Sequence, residues 1–216
     1  MSVDARPELS PLPADFLAVV GATAERRRDI ETYREMLSAA NQHMNLVGES
    51  TLAEFWTRHF VDSAQLLWFS PDTLVWADLG SGAGLPGVIL AILLKGRPGA
   101  RVHLVESMSK RCRFLGEVVQ TLGLPAIVHN ARAETLKLKV DMITARACAP
   151  LDRLLGYAEP FFARGARALF LKGAEVEGEV ALARAHWRFQ CATDVSLSDS
   201  RGRLLSVSEV IRAGRR

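Results

Sequence analysis

Three cysteines, Cys112, Cys148 and Cys191, stand far apart in 216 residues. They are too few and odd in number for a disulfide framework, and without a C-x-x-C pair a thiolate zinc site is not expected. No long apolar run exists. The longest, LPGVILAILL at 85–94, is too short to cross a bilayer. The opening stretch MSVDARPELSPLPADF lacks the basic-then-apolar order of a secretion signal. Charge of neither sign dominates: 27 Lys and Arg against 24 Asp and Glu leave a formal +3 and a pI of about 9.0, which permits a polyanionic partner without demanding one. These absences predict a reduced, soluble, cytoplasmic protein with no metal and no membrane partner. Its 49% hydrophobic content suffices for one sizeable core plus an appendage.

Residues 1–13 are Pro-rich and read as a loose arm. From about Leu12 to Phe69 the spacing is helical, with Ile30, Tyr33, Leu37, Ala40 and Met44 on one apolar stripe. The charges from Glu25 to Glu35 read as a solvated face. TLAE at 51–54 fits a capping box and predicts a second helix from Thr51, with Leu52, Phe55, Trp56, His59, Phe60 and Leu67 on a shared face. Arg58 stands four residues from both Glu54 and Asp62, so a surface ion-pair row is available. His59 and Asp62 have metal-ligand spacing but no evident third ligand, and a hydrogen-bonded core histidine is the simpler reading.

After residue 73 the rhythm changes. Strands are expected at 74–79, 101–106, 126–130, 140–145 and 167–172, with helices from Pro86, over 109–122 and near 150–158. Two last strands, within 186–195 and 203–211, look like an antiparallel hairpin joined by a short turn. The alternation implies right-handed crossovers and an α/β, Rossmann-like fold: a mostly parallel seven-stranded sheet with an antiparallel edge, preceded by N-terminal helices. The expected division is a helical extension over 1–72 packed on a ligand-binding domain over 73–216.

The stretch WADLGSGAGLPGVIL at 76–90 holds two glycine patterns. From Gly80 it reads G-x-G-x-G, through Gly82 and Gly84; from Gly82 it fits the dinucleotide fingerprint, ending at Gly87. Either frame makes a strand–turn–helix cradle at the carboxyl end of the first strand, where open parallel sheets bind ligands. Asp78, two residues before Gly80, would repel a pyrophosphate but suit the cationic, phosphate-free S-adenosylmethionine. Glu106 ends the second strand, where an acid accepts ribose hydroxyls in either ligand class. Ala133 and Glu134 follow the third strand and could border an adenine, or simply start a helix. Arg146 ends the fourth strand, as a clamp on a ligand carboxylate or substrate phosphate, or as an ion-pair partner of Glu134 or Asp152.

Several motifs in order carry a resemblance: NLVGESTLAEFWTRHFVDSAQLL at 45–67, ADLGSGAGLPGVILAI at 77–92, HLVESMSKRCRFL at 103–115, RAE at 132–134, ITARACAPL at 143–151 and LFLKG at 169–173. Over roughly 15–211 the chain resembles the bacterial small-subunit ribosomal RNA guanine-N7 methyltransferases, also called glucose-inhibited division protein B. The resemblance implies a methyltransferase fold, S-adenosylmethionine as methyl donor, and a guanine of small-subunit ribosomal RNA, free or in the 30S subunit, as acceptor. It places Gly80 and Leu85 at the methionyl and ribose region, Ala133 and Glu134 at the adenine, Arg146 facing the donor pocket, and His59, Asp62 and Ser63 on a helix beside the cleft. Where that family often has Trp and Lys, this chain has Ala40 and Gln42.

Guanine N7 has a free lone pair and no proton to lose, so no general base is required and none is assigned. No Ser-His-Asp order or nucleophilic cysteine signature is visible, and TARACAP stands where an amino-group methyltransferase carries a D/N-P-P-aromatic turn. Eight basic residues against four acidic ones between 101 and 146, among them Lys110, Arg111, Arg113, Arg132, Lys137, Lys139 and Arg146, are candidates to meet phosphates. Trp56 and Trp68 are expected in the core. The chain is expected to act as a monomer. Two other functions remain open from the residues alone: a nicotinamide-dependent oxidoreductase using the Gly82 frame, and a non-catalytic RNA-binding protein on the same fold.

Overall fold

In the computed structural model, residues 12–214 are described. The expected N-terminal arm falls almost wholly outside them. Five parallel strands, β1 (Val75–Leu79), β2 (Arg101–Glu106), β3 (Ala126–Asn130), β4 (Met142–Arg146) and β5 (Arg167–Lys172), are joined to β6 (Trp187–Val195) and β7 (Arg203–Arg212) in one sheet. The order is β3-β2-β1-β4-β5-β7-β6, and β7 runs antiparallel to both its neighbours. The order reverses at β1, which lies between β2 and β4, so a crevice opens beyond its carboxyl end.

Helices cover both faces. α5 (Gly87–Leu94) reads GVILAILL and is buried at every position, because it is sandwiched between the sheet and the N-terminal helices. Those helices are α1 (Phe16–Val19), α2 (Ala24–Met44), α3 (Glu49–Ala53) and α4 (Asp62–Phe69), and α4 is preceded by a π-helical turn over Trp56–Val61. Ile30, Tyr33 and Leu37 of α2 share one hydrophobic cluster with α5 and with Trp76, Val102 and Leu104 of the sheet. On the other face α7 (Leu151–Phe162) and α8 (Val176–Ala183) pack over Ala77, Leu79, Ile143 and Phe170. α6 (Ser109–Leu122) buries Cys112, Phe114, Leu115, Val118 and Leu122 as one stripe and stops at Gly123, whose φ of 57° closes the helix.

Several local expectations are corrected. Thr51 is not a helix cap: α3 starts at Glu49 behind Gly48, and the Thr51 hydroxyl donates to Gly48 O. α5 begins at Gly87, with Pro86 as the residue before it. Ala40 and Met44 pack half-buried against the core, and Asn41, which the stripe did not include, is buried beside them, its amide both donating to and accepting from Val47. The charged face of α2 is partly a docking face, where Arg26 donates to Gly21 O and Lys95 O and Asp29 pairs with Lys95. Trp56 is 43% exposed, stacked edge-on against Phe55 and Phe60, whereas Trp68 packs on Phe16. The connection between β6 and β7 is a loop over 196–202 rather than a short turn.

Candidate functional site

The turn after β1 is held from below and from the side. Gly80 and Ser81 N–H both donate to Val105 O, and the Ser81 hydroxyl donates to Asp78 O. Gly80, Gly82 and Gly84 have φ of 70°, 55° and 96°, a conformation that side chains resist. Tyr33, fully buried on α2, donates its hydroxyl to Ala83 O at 2.8 Å, so the long helix grips the loop directly.

Asp78 is wholly buried. One oxygen accepts Gly87 N–H at 3.0 Å, and the other has no partner among the described residues. Burial pushes its carboxyl up to about 7, against the pull of Gly87, Ser81 and Arg146. It therefore closes the loop from beneath and lines neither of the cavities described below. Glu106 is the acid at the crevice. Its two oxygens accept Gly82 N–H at 3.0 Å and Met108 N–H at 2.8 Å, with Arg111 at 3.7 Å. That leaves acceptor capacity on a carboxylate fixed at the mouth of β2.

Two cavities open here. A small one of about 160 Å³ is lined by Gly80, Glu106, Ala133, Glu134, Cys148 and Tyr157, among others. A larger one of about 980 Å³ lies beside it, lined by the 46–48 segment, Arg58, His59, Asp62, Arg146, Lys172, Glu179 and the 198–202 loop. Cys148 lines both. Three ion pairs edge the larger cavity: Arg58–Asp199 at 2.9 Å, Arg146–Asp62 at 3.2 Å and Lys172–Glu179 at 2.6 Å.

A family model described as rRNA small subunit methyltransferase G matches residues 26–205. The chain belongs to this family. The Ribosomal RNA small subunit methyltransferase G of Caulobacter vibrioides (strain NA1000 / CB15N) is 57% identical over 199 residues, 92% of each chain. That of Bradyrhizobium sp. (strain ORS 278) is 40% identical over 215 residues, 98% of this chain and 97% of its own. Among solved structures, MtNAS in complex with MTA and tNA superposes with a TM-score of 0.55 at 15% identity, over 88% of this chain and 71% of that one. The fibrillarin/Nop5p complex gives 0.52 at 14%, over 70% and 84%. These structural likenesses concern the Rossmann-like fold alone.

In this member of the rRNA small subunit methyltransferase G family, the expected site residues divide. Gly80, Glu106, Ala133 and Glu134 meet at the small cavity, and Glu134 does so from a single 3-10 turn, Ala133–Thr135. Gly82 and Gly84 shape the loop from within, while Leu85 is buried in the core beneath it. Arg146 belongs to the larger cavity. Its guanidinium pairs with neither Glu134 nor Asp152; one nitrogen reaches Asp62, Arg58 O at 3.0 Å and His59 Nδ1 at 3.1 Å. Arg58 turns to Asp199, so the expected Arg58–Asp62 pairing gives way to two cross-element pairs.

His59 is buried, and burial together with Arg146 pushes its pKa down to about 4, which keeps the ring neutral with Nδ1 accepting. No cluster of three metal-ligand side chains occurs among the described residues. Sequence reasoning missed Tyr33, Tyr157, Cys148, Lys172, Glu179 and the 198–202 loop as parts of the site. Lys172, within LFLKG, and Cys148, within ITARACAPL, carried a signal as parts of quoted motifs. Of the basic residues weighed for phosphate contact, Arg146 alone lines the larger cavity, and Lys110 is spent on His43 O.

Proposed function

We propose that this chain transfers a methyl group from S-adenosylmethionine to N7 of a guanine in small-subunit ribosomal RNA. The observation that carries the reading is the pair of adjoining cavities that share Cys148, on a chain of this family. The smaller, with Glu106 at its edge and Ala133, Glu134 and Tyr157 around it, suits an adenosine. The larger is wider and is edged by three ion pairs with Arg201 beside them, so it offers polar groups to a nucleotide acceptor. No helix among the described residues is long and apolar enough to cross a membrane. The site is read as that of a cytoplasmic monomer in which the described residues of the helical extension, 12–72, pack on the ligand-binding domain.

The donor supplies an electrophilic methyl group on a sulfonium. The residues fit it: Gly80 gives a close backbone approach at the small cavity, and Glu106 offers a fixed acceptor there. Gly80, Glu106, Ala133 and Glu134 then bind the adenosyl part. Gly82, Gly84 and Leu85 shape the loop, and Arg146 with Asp62 shapes the acceptor side. The acceptor nitrogen needs no base, so the chain's contribution is alignment and exclusion of water, for which orientation alone is worth roughly 7–11 kcal/mol.

Purified small subunits lacking the modification, incubated with the protein and labelled S-adenosylmethionine, should gain one methyl group on a guanine by mass spectrometric mapping. Absence of transfer removes the substrate assignment. A fluorescence titration with reduced nicotinamide dinucleotide should show no binding.

A further inference from the structure

The loop over 147–150 is the wall between the two cavities. Cys148 faces both, and Ala147 sits at a φ of 50°, a left-handed conformation that alanine resists. Something outside the loop must hold it there. One end is fixed by Arg146, tied to the π-helical turn as described. The other end is fixed through Glu179 on α8. Glu179 Oε2 accepts Leu151 N–H, the first residue of α7, at 2.6 Å, and takes Lys172 Nζ at 2.6 Å. Lys172, with a side chain only 8% exposed, passes a further hydrogen bond to Ala149 O at 3.0 Å. One carboxylate thus anchors the wall twice, directly at 151 and through the lysine at 149.

We propose that Glu179 is a positioning residue that sets the wall between donor and acceptor cavities. Its role as an acceptor–donor partition rests on the methyl-transfer reading, whereas its grip on the loop does not. Loss of the carboxylate frees Ala149 and Leu151, lets Ala147 relax toward an ordinary conformation, and moves Cys148 away from Gly80. The donor pocket then loses its lid while the glycine loop and Glu106 stay in place.

Cys148 reports on the wall. In a Cys191→Ser background of the full chain, thiol labelling by dithiobis-nitrobenzoate is followed well below the unfolding midpoint. Cys148 is exposed, but partial burial and the nearby Asp78 and Glu106 push its thiol up, so Glu179→Ala should move it out of that setting and label it roughly threefold faster. Glu179→Gln keeps an acceptor for Leu151 and should label at an intermediate rate; it also carries the test if the alanine variant does not fold. Both variants should raise KM for the donor more than they lower kcat. Labelling and donor KM equal to those of the parent, at a lowered unfolding midpoint, would mean that Glu179 only stabilises the fold, and the proposal fails. If the parent binds no S-adenosylhomocysteine, the methyl-transfer reading fails, while the labelling comparison still decides whether Glu179 holds the loop.

Discussion

Gly80 and Cys148 are in contact so close that a Cβ on Gly80 would stand 2.6 Å from the Cys148 sulfur. The turn after β1 and the turn after β4 therefore fit only because one of them lacks a side chain. Gly80→Ala meets both this clash and a φ of 70°. It should cost about 2–3 kcal/mol of stability and weaken donor binding. Adding Cys148→Ala should return about 1 kcal/mol, leaving the backbone strain. A double-mutant cycle by urea unfolding measures this, and strict additivity would refute the contact.

Asp78 makes stability fall as pH rises. Its carboxyl is raised from 3.8 to about 7, so the folded chain holds a proton that the unfolded chain gives up sooner. The stabilisation is complete below about pH 4 and is lost progressively up to about pH 7. Three pKa units correspond to about 4 kcal/mol. Asp78→Asn keeps an oxygen for Gly87 N–H and cannot ionise. It should therefore gain on the parent protein steadily between about pH 4 and about pH 7 in urea titrations. A constant difference across that range contradicts the assignment.

Tyr33 ties α2 to the glycine loop through one hydrogen bond to Ala83 O. Tyr33→Phe leaves that buried carbonyl unpaired at a cost of about 1–2 kcal/mol. At this chain length the unfolding midpoint should drop by roughly 3–6 °C. Calorimetric binding of S-adenosylhomocysteine should weaken as well. Unchanged affinity would mean that the loop keeps its shape without the helix.

Arg146 gathers Arg58 O, His59 and Asp62 on a single nitrogen. A lysine also carries its donors on one nitrogen, but on a shorter stem and without the plane that holds the guanidinium nitrogen in place among these three partners. Arg146→Lys should lower methyl transfer by about 10–100-fold, with donor affinity less affected, because the residue lines the larger cavity and not the smaller. Asp62 is left partly buried beside a poorer partner, so the melting midpoint should fall too. A loss confined to donor affinity would place Arg146 on the wrong cavity.

The sheet was legible because apolar runs buried on both faces leave a strong pattern: β2 and β5 match their expected bounds, and β3, a half-exposed edge strand, matches through its β-branched AIV run, as does α6 through its stripe. The glycine loop was legible because its chemistry is local. The larger cavity was not, since it is assembled from segments near 46–51, 58–62, 146–150, 171–174, 179 and 198–202 that no spacing rule connects. Arg146 shows the limit. Its position at a strand end was readable, but its partner lay on a helix 84 residues away, while the nearer Asp152 pairs with His186 instead. Asp78 shows another: its place before the turn suggested contact with ligand, whereas full burial beneath Gly87 makes it a fastener of the backbone.

The reversed direction of β7 decides which end of the sheet the 196–202 hairpin tip reaches. Arg203 pairs with Lys172 at the carboxyl end of β5, and so the tip overhangs the mouth instead of the floor. It is tethered there by Asp199 to Arg58 and by Ser198 to Asp62, side chain to side chain. Because the tip joins only β6 and β7, a change in its length would leave all five parallel strands and the turn after β1 where they are.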